Sequence, residues 1–242
     1  MKQFQFNPHP KFIEYDIFAL FNEYVPFWFE GDPKIRSDQY DFRPVIVHEL
    51  IHGLGFSNAY NRYHDYDAII PFHYKPEDNS INVFNGSYED GEFVEFMMDK
   101  YTVLLEDGTP ISYYIQQLNS YFAMANTTNI DTLDFINSPQ FKIAEELYTL
   151  STTPLTIGVL PKGAIDYTCA IPLETSLPTF KQGSTLSHVD LDTYDGTSDF
   201  LMVYNASSWI GLTAQDLVGN YSGGLIGPNL KLVLENYGYV LI

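Results

Sequence analysis

The polar and apolar pattern of this chain changes abruptly at residue 41. Asp41-Phe42-Arg43-Pro44 leads into Val45-Ile46-Val47-His48-Glu49-Leu50-Ile51-His52, a run that is apolar apart from three residues and is closed by Gly53 and Gly55. Asp41 has the short acceptor side chain of a helix N-cap, Pro44 suits a first turn, and glycine is favoured just past a helix end. The pattern therefore predicts a helix from 42 to about 53. Apolar residues recur at helical spacing across 111–121 and 138–149, which predicts two more helices. Residues 11–29 read as a helix followed by a strand. Residues 57–92, rich in Asn, Asp, Tyr and Gly, read as loop with short strands, and 93–101 mixes helix and strand signals. From 156 to 180 the chain is strand-like, with turns marked at Pro161-Lys162-Gly163, Pro172 and Pro178. Pro154 and the Ser-Thr-Thr before it place the best boundary at 150–156. The expected organisation is an upstream subdomain (1–56) carrying the first helix, an insertion of loops and helices (57–155), and a C-terminal subdomain (156–242). No internal repeat or low-complexity tract interrupts it.

Composition narrows the function classes. Hydrophobic residues make up 45% of the 242 positions and aromatics 16%, enough to bury a sizeable core. Lys and Arg number 12 against 31 Asp and Glu, a formal charge of −19. That balance argues against nucleic acid or an anionic membrane as partner, since both need a basic footprint. No run of about 18 apolar residues occurs, so no membrane span is expected. Cys169 is the single cysteine and has no partner for an internal disulfide; its strand-like surroundings predict a small buried hydrophobe. Sequons at Asn85, Asn126, Asn205 and Asn220 permit glycosylation in a secretory pathway. Met1 to Pro8 lacks the apolar core of a signal peptide, so a secreted protein would need a leader outside this sequence.

The first helix carries the candidate chemistry. His48 and His52 lie four residues apart on one face, so their imidazoles can hold a single Zn²⁺, and Glu49 is set beside them in the pattern H-E-x-x-H. The bland alternative is a pair of histidines lining a core or a solvated face. The apolar flanks argue against it, because burying charge beside imidazole is costly unless a metal or partner compensates. A catalytic zinc takes three protein ligands and keeps one position open. In the compact pattern H-E-x-x-H-x-x-G-x-x-H the third histidine follows the glycine by three residues. Gly55 is in place, but position 58 is Asn. His64 and His73 are candidates for the third ligand by proximity, and Glu77 or a later glutamate would serve a thermolysin-like arrangement.

A distant segment bears on that question. Gly183-Ser184-Thr185-Leu186-Ser187-His188-Val189-Asp190 is followed by Ser198-Asp199-Phe200-Leu201-Met202. Together with His-Glu-Leu-Ile-His-Gly-Leu-Gly-Phe at 48–56, these segments resemble the leishmanolysin-type metzincins and their secreted bacterial and fungal relatives. The resemblance spans about residues 38 to 239 and is thin between about 60 and 165. It implies His188 as the third zinc ligand and Met202 as the methionine of the turn beneath the metal. It also implies that Gly227 to Tyr239 forms a closing helix with a Gly-aromatic ending. The implied fold is α+β, a metzincin-like zinc peptidase. Its active-site helix has a mixed sheet upstream, within the 47 residues before His48, and a mainly irregular or helical C-terminal subdomain. Asp99, in Asp99-Lys100-Tyr101, matches a recurring Asp-basic-aromatic segment and is read as a structural acceptor or cap.

The activity implied is that of a secreted zinc endopeptidase acting on peptide or protein substrates, with Glu49 as general base. Tyr204 or His64 would be a further donor to the oxyanion. Asp190, Asp192, Asp195 and Asp199 crowd the third-ligand region and suggest partners for the ligand imidazoles, a structural cation, or a solvated acidic loop. Gly196-Thr197-Ser198-Asp199 also resembles the G-T-x-D segment of aspartate-ligated zinc peptidases, which makes Asp199 the second candidate for the third ligand. A different class of function is a zinc-binding extracellular adhesion or recognition module without hydrolysis. The intact Glu49 favours the enzyme, because metal binding alone does not need that carboxylate.

Overall fold

The computed structural model describes residues 15, 17–75, 80–81, 92–125 and 130–240. Strand β1 (Phe27–Trp28) pairs in parallel with β2 (Tyr40–Asp41), which runs straight into helix α1 (Phe42–Gly53). The N-cap is Asp41 as the pattern predicts. One carboxylate oxygen accepts from Arg43 N at 2.9 Å and the other from Ala214 N at 2.7 Å, so one buried side chain starts α1 and pins a segment 173 residues away. Removing an N-cap costs about 1 kcal/mol; here it would also strand the Ala214 N–H.

Upstream of β1 the chain departs from expectation. Of the stretch 11–29, residues 11–14 and 16 lie outside the described residues; 17–26 hold a turn rather than a helix, and Phe18, Leu20 and Tyr24 are exposed. The reason lies in where the aromatic side chains go. Phe21, Phe27 and Phe29 gather on the ring of Phe42, with centroids 5.0, 5.2 and 5.1 Å from it, and that convergence does not follow a helical stripe. Among the described residues, the mixed upstream sheet is reduced to the two-residue pair of β1 and β2.

The loop-and-strand region contains β3 (Tyr60–Arg62) antiparallel to β4 (Ile69–Pro71), then β5 (His73–Lys75) between β6 (Ser80–Ile81) and β7 (Glu92–Phe93). Next come β8 (Thr102–Leu104), α2 (Ile111–Ala125), α3 (Thr132–Ile136) and α4 (Pro139–Ser151). The two helices read from the sequence are α2 and α4, the latter with Ser138 as N-cap and Pro139 in its first turn. Ile111, Tyr114, Ile115, Leu118 and Phe122 form the buried stripe of α2, and α4, whose Phe141, Ala144, Leu147 and Tyr148 are buried, packs against that helix, with Tyr114 Oη donating to Glu146 at 3.1 Å and Gln140 Nε2 to Ser120 Oγ at 2.8 Å. Burying a large apolar side chain contributes roughly 1.5–3 kcal/mol, which is why this pairing anchors the insertion.

Of the strand-like stretch from 156 to 180, only β9 (Ile157–Val159) and β10 (Ile171–Pro172) are strands; with β8 they make an antiparallel sheet in the order β10-β9-β8. Between them Asp166 caps a 3-10 turn, Tyr167–Cys169. Cys169 is therefore exposed on a turn, not buried in a strand as its neighbours suggest. Helices α5 (Leu191–Tyr194), α6 (Ala214–Val218) and α7 (Pro228–Asn236) complete the chain. One continuous apolar cluster joins Ile51 of α1 to Leu118 of α2, Leu147 of α4, Val159 of β9 and Leu234 of α7. No helix among the described residues is long and apolar enough to cross a membrane.

Candidate metal centre

Helix α1 places His48 and His52 one turn apart, so their side chains leave the same face. Their Nε2 atoms lie 3.1 Å apart. The outer nitrogen of each ring is anchored by the backbone: His48 Nδ1 lies 2.6 Å from Leu201 O, and His52 Nδ1 lies 2.7 Å from Phe56 O. A carbonyl oxygen only accepts hydrogen bonds, so each Nδ1 must carry the proton and each Nε2 presents a bare lone pair. The short turn that ends α1 makes the second contact possible. Gly55 adopts φ 111, a left-handed backbone conformation that suits glycine, and it turns Phe56 O back toward His52.

His188 reaches the same point from the far end of the chain. Its Nε2 lies 3.1 Å from that of His48 and 3.2 Å from that of His52, and its Nδ1 meets Ser184 O at 3.1 Å. An irregular extension of the β8-β9-β10 sheet holds it. Leu173, just past β10, bridges antiparallel to Val189, which in turn bridges in parallel to Val203. Glu174 N donates to His188 O at 2.8 Å, Asp190 N to Pro172 O at 3.0 Å, and Val189 N to Met202 O at 2.8 Å. The 3-10 turn Phe200–Met202 is thus tied to both halves of the site, through Leu201 O to His48 and through Met202 O to the residue after His188. Met202 itself is buried.

These three nitrogens form the one cluster among the described residues whose donor atoms could share a metal ion. Tetrahedral bonds of about 2.0–2.1 Å space ligand nitrogens by roughly 3.3–3.4 Å. The observed 3.1–3.2 Å is close to that spacing. Burial, then the charge of His52, pushes the pKa of His48 down to about 4; burial followed by the charges of His52 and His48 pushes His188 down to about 2. Both shifts favour neutral rings at His48 and His188, so their Nε2 lone pairs are available to a metal ion. Three neutral imidazoles suit zinc, copper, iron or nickel among the common divalent ions.

The site opens to solvent as a cleft of about 410 Å³, whose walls include the three histidines, Glu49, Ser57 and Tyr204. Glu49 is exposed within it, on the helix face next to the histidine pair. Other sequence candidates lie elsewhere. His64 is exposed with its ring on Tyr63, and His73 is buried against Phe93 and Phe122. Glu77 falls outside the described residues. Asp199 is not a ligand: its Oδ1 accepts from Asn229 N at 2.8 Å and Leu230 N at 3.3 Å, capping α7 from a distance. Gly227 allows this approach, since a Cβ there would come within 2.3 Å of both Asp199 Oδ1 and Ser198 O. Asp190 and Asp195 are also structural, whereas Asp192 is exposed. Asp190 caps α5 by accepting from Thr193 N at 2.9 Å, and Asp195 accepts from Ser208 Oγ at 2.9 Å. The ligand imidazoles are oriented not by these carboxylates but by three backbone carbonyls, which no residue type announces.

Asp99 has the structural role expected. Fully buried, it accepts from Ala59 N at 3.1 Å and Phe96 N at 2.8 Å. Sequence reasoning overlooks Asn58, a buried residue whose side chain joins the end of α1 to the loop of His188. Its one signal is its place three residues after Gly55.

A family model described as SPBPB7E8-like matches residues 1–242. Uncharacterized protein PB7E8.01 of Schizosaccharomyces pombe is 28% identical over 262 residues, a match that takes in 99% of this chain and 45% of that protein. The chain thus spans less than half the length of the curated relative it matches. No solved structure matches.

Proposed function

We propose that this chain, which belongs to the SPBPB7E8-like family, is a zinc-dependent endopeptidase of metzincin-like, leishmanolysin-type architecture. The observation that carries the reading is the convergence of His48, His52 and His188 Nε2 atoms at 3.1–3.2 Å in an open cleft that also contains Glu49. Zinc held by these imidazoles supplies positive charge that polarises a scissile carbonyl and acidifies water. Glu49, next to His48 on α1 and exposed in the cleft, takes the proton of the attacking water and passes it to the leaving amine. Tyr204 lines the same cleft and is the candidate donor to the developing oxyanion. The turn Phe200–Met202 serves as the Met-turn, and its Leu201 carbonyl fixes the His48 tautomer. We place the protein outside the cell, on its acidity and on the sequons at Asn205 and Asn220, both at exposed positions.

One observation favours a second reading, a zinc-binding recognition module. Among the described residues upstream of α1, β1 and β2 are two residues each, too short to align an extended peptide. Cleavage of a quenched fluorescent peptide library by wild type and Glu49→Gln distinguishes the two. The endopeptidase reading expects wild-type cleavage that falls about 10²- to 10⁴-fold in Glu49→Gln with zinc retained. Zinc-loaded wild type that cleaves no library member would sink it in favour of the recognition module.

A further inference from the structure

Asn58 stands where the compact zinc pattern carries its third histidine. Its amide nitrogen donates to Ser187 Oγ at 2.6 Å and to Thr185 O at 3.0 Å, and its backbone N–H reaches the same Ser187 Oγ at 3.4 Å. The amide oxygen accepts from Tyr60 N at 2.8 Å. Both donor hydrogens and the acceptor of this buried side chain are therefore committed. The segment beneath it is itself held, because Ala59 N donates to the buried carboxylate of Asp99.

The two groups that Asn58 grips flank Leu186, which adopts φ 61, a left-handed conformation disfavoured for leucine. Ser187 and His188 follow directly. Two residues before Asn58, Phe56 O orients the ring of His52. One short stretch after α1 thus addresses two members of the triad, His52 through a carbonyl and His188 through the Asn58 amide.

We infer that Asn58 is a positioning residue for the third ligand, its amide clamping the Thr185–Ser187 loop so that His188 Nε2 meets the pair on α1. The inference rests on reading the triad as a metal centre, and it assigns the position vacated by the compact ligand set to the placing of the distant one.

The test is zinc affinity by chelator competition on wild type, Asn58→Ala, Ser187→Ala and the double variant, with the visible spectrum of the Co²⁺-substituted forms. Leu118→Ala, a core truncation on α2, controls for general destabilisation. Asn58→Ala is expected to weaken zinc about 10- to 100-fold and to alter the Co²⁺ spectrum. The double variant should bind no more weakly than Asn58→Ala alone, because the two side chains act as one unit. Ser187→Ala carries the test if Asn58→Ala fails to fold, with a smaller loss expected because the Thr185 bond remains. Wild-type affinity and spectrum in both single variants, or an equal loss in Leu118→Ala, would overturn the clamp alone. Wild type that takes up no zinc would overturn the metal centre and the clamp with it.

Discussion

His48 and His188 are 140 residues apart in sequence, yet their Nε2 atoms lie 3.1 Å apart, each with its other ring nitrogen hydrogen-bonded to a carbonyl. Two bare lone pairs at that distance repel, and the backbone gives neither ring an alternative tautomer. Metal removal is therefore expected to destabilise the fold. A saturating ion at 100 times its Kd adds about 2.7 kcal/mol, so chelation should lower the melting temperature by several degrees and added zinc should restore it. Identical melting curves with and without chelator would contradict this.

The interaction of Asp199 with α7 yields a prediction of a different kind. Asp199→Ala removes a helix cap, costing about 1 kcal/mol, and leaves zinc content unchanged. Gly227→Ala is expected to cost more, because a Cβ would collide with Asp199 Oδ1 and with Ser198 O, which is backbone. Chemical denaturation of both variants measures the order; a harmless Gly227→Ala would refute the close packing.

Trp209 offers an optical readout. Its buried indole lies edge-on to His48, with centroids 6.0 Å apart, and the other tryptophan is Trp28. In Trp28→Phe, Co²⁺ titration is expected to quench the remaining fluorescence with a stoichiometry of one, and His188→Ala should abolish the effect. Undiminished emission at saturating Co²⁺ would place the metal elsewhere.

Asp99 gives a pH dependence. Burial raises its carboxyl pKa to about 7, against hydrogen bonds from Phe96 and Ala59 that pull it down. An unfolded aspartate titrates near 4, so between these values the folded state binds the extra proton. The stability associated with Asp99 is then present at about pH 4 and lost as pH rises through about 7. Denaturation of wild type and Asp99→Asn across that range should show wild type losing on the order of a few kcal/mol relative to the variant. A gap independent of pH would contradict the buried acid.

What could be read in the sequence was local. The Asp41 cap, the span of α1, helices α2 and α4 and the pairing of His48 with His52 all follow from periodicity and capping within a few residues. Only a resemblance to other chains points to His188, and the structure brings it to the pair. The rest depends on partners far along the chain. Asp199 looks like a ligand in Gly196-Thr197-Ser198-Asp199 because nothing local reveals the open N-terminus of α7 thirty residues on. Phe18 and Leu20 suggest a helix, but Phe21 and Phe27 are drawn instead to Phe42. Cys169 sits among strand-forming residues, yet Asp166 turns the chain outward before it.

Metal analysis of purified wild type, His188→Ala and Asp199→Ala tests the central claim most directly. One zinc per chain is expected in wild type and in Asp199→Ala, with none in His188→Ala. Zinc retained by His188→Ala would contradict the three-histidine centre.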